Sequence, residues 1–218
     1  MNSPLRYVLS AVAVLAATSF LRAQTVTTAG EIATLTIGPL VPFTATCSVT
    51  DIAGGWKVLY PDRAQAGLAD GKQSFVYTTV DGTPFTVERQ IEETPELVRI
   101  TDSFSDEAGA LQLAKTFDVE LQADAMGGAT VEFIEGDKPG EDGKPLSEVA
   151  ENLGRASVKC SGLSLATPSG EKLTIQFDEP RSMGVRRIEQ ANKNVYSLRI
   201  GYPEAPSKST FEFRLGSK

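Results

Sequence analysis

The residues best suited to hold a ligand are aromatic. Trp56, Val58 and Tyr60 follow Gly54-Gly55 at alternate positions, and Trp56 is the only tryptophan in the chain. An exposed ring can stack on the apolar face of a pyranose, leaving neighbouring polar groups to meet the hydroxyls. In that reading Trp56 and Tyr60 form a platform, with Asp62 and Arg63 as hydrogen-bonding groups at its rim. The opposing reading makes Trp56 the large core residue of a β-fold and Tyr60 a partly buried one. The two readings differ in whether Trp56 meets water. Tyr77 and Tyr202 are weaker candidates on the same grounds.

Carboxylates are the second source of chemistry. Glu88, Glu92, Glu93, Asp102 and Asp106 fall in or near neighbouring extended segments. A pair of them about 5–10 Å apart could hydrolyse a glycosidic bond without histidine. No motif singles out a pair, and no residue is assigned a catalytic role. Glu132, Glu135, Asp137, Glu141, Asp142, Glu148 and Glu151 form an acidic stretch that could hold a structural calcium ion. The calcium-hand spacing fails there: with Gly143 as the central glycine, Lys138 and Val149 would be the terminal ligands. A solvated loop is the expectation. Arg181, Arg186 and Arg187 could clasp an anion, although Asp178 and Glu179 offer internal partners.

Much chemistry is excluded. The chain contains no histidine, which removes the Ser-His-Asp triad, the Cys-His dyad and histidine-ligated metals. Glycine-rich phosphate loops and the GxSxG nucleophile motif are absent. A net charge of −7 disfavours sequence-independent nucleic-acid binding and anionic polymers, although a local basic patch can override the average.

The first 23 residues read as an export signal. Arg6 gives the positive start, Val8 to Ala17 the apolar run, and no acidic residue precedes Glu31. The run is too short for a membrane span. Cleavage is expected after Ala23 or Ser19. Removing residues 1–23 takes away Arg6 and Arg22 and no acid, so the mature protein is more acidic still. A periplasmic or extracellular location follows. Cys47 and Cys160 would then meet an oxidising compartment and are expected to form a disulfide, with two buried thiols as the alternative.

The elements that must position these groups are strands. Leu111, Leu113, Lys115, Phe117, Val119 and Leu121 alternate with polar residues; so do Leu173, Ile175 and Phe177, then Tyr196 to Tyr202, then Phe211 to Leu215. Asp81-Gly82 signals a hairpin with a type I′ turn. Thr94-Pro95-Glu96 and Pro168-Ser169-Gly170 mark further turns. Leu146, Val149, Ala150 and Leu153 lie at helical spacing ahead of Gly154, so one short helix follows the polar loop that begins at Gly136. The expectation is an all-β, antiparallel sandwich of roughly ten to twelve strands. It forms a single domain over 24–218, with the loop and helix at 136–154. At the level of strand pattern this resembles β-sandwich modules of bacterial polysaccharide-processing systems.

The function expected is therefore an exported non-catalytic module, binding carbohydrate or another envelope protein, without a cofactor. A small carbohydrate-active enzyme, glycosidase or lyase, and a purely structural envelope protein are the alternatives.

Overall fold

The computed structural model describes residues 24–64, 70–106, 111–202 and 208–217. The expected export signal, residues 1–23, lies outside the described residues. Within them the chain forms fourteen strands: β1 (Gln24–Ala29), β2 (Ile32–Ile37), β3 (Phe43–Asp51), β4 (Lys57–Leu59), β5 (Arg63–Ala64), β6 (Lys72–Thr78), β7 (Pro84–Glu93), β8 (Leu97–Phe104), β9 (Leu113–Gln122), β10 (Thr130–Ile134), β11 (Ser157–Ala166), β12 (Glu171–Gln190), β13 (Lys193–Gly201) and β14 (Lys208–Ser217). A single helical turn, α1 (Ala123–Met126), precedes β10, and helix α2 (Leu146–Leu153) follows it. All strand pairs are antiparallel. The fold is the all-β sandwich expected, with more strands than the turn spacing suggested.

Hydrogen bonding runs in one path, β1-β2-β3-β9-β13-β12-β14-β8-β7-β6-β5, with β10 and β11 attached through β12 and β4 attached to β3. The path folds on β12. Its first part, Glu171–Phe177, pairs with β14, and its last part, Met183–Gln190, pairs with β13. Pro180 lies between the two ladders, where a missing N–H is tolerated. The partner strand β11 shifts register at the same place, between Cys160 and Gly162. There the backbones come so close that a Cβ on Gly162 would lie 2.4 Å from the Ile175 carbonyl oxygen. Arg181 latches this corner. It is buried, donates to the Asp178 carboxylate and to the Gly201 carbonyl oxygen at 3.4 Å, and lies over the Phe211 ring.

Folding on β12 brings the inner faces together. Phe117 on β9 stacks on Phe211 of β14 at a centroid separation of 3.8 Å, and Phe43 on β3 meets Phe213 at 5.8 Å. Phe117, Val119 and Leu121 are buried as the alternation requires, as are Leu173, Ile175 and Phe177. Helix α2 buries Leu146, Val149, Ala150 and Leu153 and ends at Gly154, whose φ of 53° is left-handed. The Asp81-Gly82 hairpin forms by a different turn. Only Gly82 has positive φ, Gly82 N–H bonds to Thr79 O, and Thr79 N–H bonds to Thr83 O. This is the three-residue loop in which a type I turn precedes a left-handed glycine.

The expected disulfide is not formed. Cys47 and Cys160 are both free and buried. Cys160 sits in the large core cluster and Cys47 in a smaller one with Val49, Leu59, Phe75, Tyr77, Phe85, Val87 and Phe104. The alternative of two buried thiols is what the structure shows, each serving a different cluster. Burial raises the pKa of both thiols, Cys160 to about 11 and Cys47 further, with the Asp102 charge adding to the rise at Cys47. Neither is a thiolate at neutral pH. A thiol-specific reagent applied without reductant is therefore expected to label neither cysteine in the native protein and both after denaturation. Zero thiols in the denatured protein would mean the bond exists.

Candidate functional site

The aromatic segment lies on an edge. β4 pairs only with the end of β3, Val49 opposite Leu59 and Thr50 opposite Val58. Leu59 points into the smaller core cluster. Its neighbours point out: Val58 is 50% exposed, Trp56 68% and Tyr60 74%. The core reading of Trp56 is thereby excluded. Four residues of fully extended chain separate the two Cα atoms by at most about 14 Å.

Asp51 builds the loop that carries Trp56. Its buried carboxylate accepts the Gly54 N–H at one oxygen and the Val80 N–H at the other, both at 2.8 Å. This ties the loop to the β6–β7 turn. Gly54 is packed so tightly there that a Cβ would lie 2.4 Å from Val80 Cγ2. The chain then leaves through two left-handed residues, Gly55 at φ 85° and Trp56 at φ 61°. Positive φ at a bulky aromatic residue is a strained conformation, maintained only by its surroundings. The cost is borne by a side chain that contributes little to the core.

Tyr60 is followed by Pro61 and Asp62. The Asp62 N–H bonds to Val76 O at 2.7 Å, and its carboxylate accepts the Thr78 hydroxyl. Asp62 thus stands at the rim, one oxygen engaged. Arg63 enters β5 opposite Val76, and its side chain lies outside the described residues. Val80 is half-exposed beside the same loop. Next to it opens a cleft of about 470 Å³, lined by Asp51, Gly54, Thr79, Val80, Asp81 and Gln112 among others. The Thr79 hydroxyl and the Thr83 amide hold the Asp81 carboxyl below the usual carboxylate range. The arrangement is an apolar aromatic edge beside a polar hollow.

The candidate carboxylates do not gather. Arg89 and Asp102 are opposed in register on β7 and β8 and both face inward. Arg89 donates to Asp102 Oδ1 from Nε at 2.7 Å and to Oδ2 from Nη2 at 2.8 Å, and the pair is 1% and 0% exposed. Asp106 is buried 3.8 Å from Lys115. Glu92 and Glu88 face out. Glu92 pairs with Arg99 at 2.9 Å, and Glu93 accepts the Val26 N–H. Glu88 lines a broad polar hollow of about 620 Å³ with Lys72, Ser74, Gln90, Ser103 and Lys208. The Arg89–Asp102 pair went unanticipated, yet both residues carry the parity of their buried neighbours Val87, Ile91, Ile100 and Phe104.

The acidic stretch serves the fold. Asp142 accepts the Phe133 N–H, Asp137 the Lys159 N–H and Glu135 the Ser161 hydroxyl, while Glu132 pairs with Lys172. No three acidic, histidine or cysteine side chains converge as metal ligands among the described residues. Tyr77 is buried and stacks on Phe85, and the Tyr202 hydroxyl donates to Asp102 at 2.6 Å, so neither forms a platform. Among the described residues no helix is long and apolar enough to cross a membrane.

No family model matches the chain, and no curated protein matches it. Among solved structures it is similar to a protein of Escherichia coli K12 described as a putative aldose 1-epimerase. The identity is 10%, the TM-score 0.44, and the match covers 75% of this chain and 70% of the other. A likeness at that level has no bearing on activity.

Trp56 provides an intrinsic probe. Native fluorescence is expected at the wavelength of a water-exposed indole, with acrylamide quenching close to that of the unfolded chain. Blue-shifted, shielded emission would show that the ring is buried.

Proposed function

We propose that this chain is an exported, non-catalytic β-sandwich that binds carbohydrate on the Trp56–Tyr60 edge. The observation that carries the reading is the exposure of both rings at the two ends of the short edge strand β4, with a polar hollow beside the Gly54 loop that precedes it. Large exposed aromatic surface is costly to leave in water and is regained when a ligand covers it. A pyranose suits such an edge. Its C–H face covers a ring, and the Asp62 carboxylate and the exposed Gln112 side chain are the polar groups offered to its hydroxyls.

Asp102, Glu92, Glu93 and Asp106 are engaged in ion pairs and hydrogen bonds, and Glu88 lines its hollow with no second candidate carboxylate beside it among the described residues, which supports binding over catalysis. Export rests on the charge and hydropathy order of residues 1–23. Two buried thiols with raised pKa are compatible with it, because they are poor targets for oxidation.

A glycan array with the protein lacking residues 1–23 tests the reading, followed by titration of any bound glycan against Trp56→Ala and Tyr60→Ala. Each variant is expected to bind about tenfold or more weakly, the effect of losing one ring's buried apolar surface. Thermal stability should stay near wild type, because neither ring is in the core. An array without a hit, or Trp56→Ala binding like wild type, would overturn the proposal.

A further inference from the structure

A second site lies on another part of the molecule, on the outer face of the layer formed by β9, β13 and the last part of β12. A trough of about 220 Å³ runs across these strands. Its floor is built of small residues: Gly184 and Gly201, with Ser157 and Ser182 beside them. A Cβ placed on Gly184 would meet nothing within 4 Å, so the missing side chain leaves open space rather than relieving a clash. Arginines wall it. Arg155 and Arg186 line this trough and also an adjoining hollow of about 320 Å³ that Arg187 shares.

The charges are unusually placed for so acidic a chain. Arg199, also on the wall, is held by Asp118 through Nε at 2.9 Å. Arg187 is paired with Glu189. Arg155 and Arg186 have no hydrogen bond or ion pair with any described residue, and both are exposed. Unmatched guanidinium groups over a floor of glycine and serine present forked donors to whatever enters, and that fork fits a carboxylate or a sulfate. The serine hydroxyls and the backbone opened by Gly184 complete a polar cradle of small capacity.

We infer that the trough between Arg155 and Arg186 binds the oxyanion of an acidic sugar, a carboxylate or a sulfate ester. The two sources share one chemistry, a compact anion on a polyhydroxylated body, and they differ in geometry. The inference extends the carbohydrate reading to a second position, and it does not depend on the Trp56 edge.

The test is titration of the protein lacking residues 1–23 with galacturonate, with glucose 6-sulfate and with uncharged glucose, followed by chemical shifts or calorimetry at low and high salt. Saturable binding that weakens as salt rises and persists in Trp56→Ala is expected for at least one acidic sugar and not for glucose. Arg155→Ala with Arg186→Ala should reduce affinity by at least about tenfold, since charge-assisted hydrogen bonds are lost. Gly184→Val keeps every arginine, suits an extended strand, and fills the floor. It should also abolish binding at unchanged thermal stability. Trp56→Ala should bind these anions as wild type does, which separates this site from the aromatic edge. No saturable acidic-sugar binding by the wild type, or full binding by Gly184→Val or by the double arginine variant, would overturn the inference.

Discussion

The structure depends on one buried ion pair. Arg89 and Asp102 face each other across β7 and β8, on the side turned to the opposite layer. Removing two charges from water is expensive, and the cost is recovered only if every donor and acceptor is matched. Here each guanidinium nitrogen and each carboxylate oxygen has a partner. Two guanidinium nitrogens grip the carboxylate, and Nη1 donates to Glu31 O at 2.8 Å in the β1–β2 turn. The Tyr202 hydroxyl adds a bond to Asp102 from the end of β13. Burial alone would lower the Arg89 pKa, but the Asp102 charge outweighs it and the net shift is upward. The guanidinium lies near Phe75 of the smaller cluster and Phe117 of the larger one, so the pair sits where the two apolar regions meet.

This constraint decides where a ligand can bind. The inner faces are committed to aromatic stacking and to the ion pair. Recognition is left to edges and outer faces, where the sheet offers an aromatic edge at β4, a broad polar hollow around Glu88, and a basic trough over Gly184. An exposed edge strand invites pairing with another chain, and short strands limit that hazard. β4 has three residues and is joined to the core by Leu59 alone. Its other side chains are therefore free of packing constraints, which is why a strained Trp56 can be held in water there.

Much of the architecture was legible because period-two alternation records which face is buried. The segments around Phe117, Ile175, Leu198 and Phe213 needed no other signal, and α2 was marked by its spacing and by Gly154. What was not legible involves pairing between distant segments. Asp178 to Arg181, interrupted by Pro180, reads as the end of a strand, yet β12 continues through it because one half belongs to each layer. Cys47 and Cys160 share inward parity, but only the topology shows that they enter different clusters. Trp56 was ambiguous for a local reason: alternation groups it with Val58 and Tyr60, but a strand of three residues does not say which of its faces is buried.

The central claim, that Arg89 and Asp102 hold the layers as a matched pair, is tested most directly by a double-mutant cycle in urea. Arg89→Met and Asp102→Leu are each expected to cost about 3–5 kcal/mol, because each leaves one charge buried and unpaired. The double variant is expected to recover most of that loss, since neither charge then remains to be solvated. Single variants within about 0.5 kcal/mol of wild type, or a double variant as unstable as the sum of the two, would contradict the account.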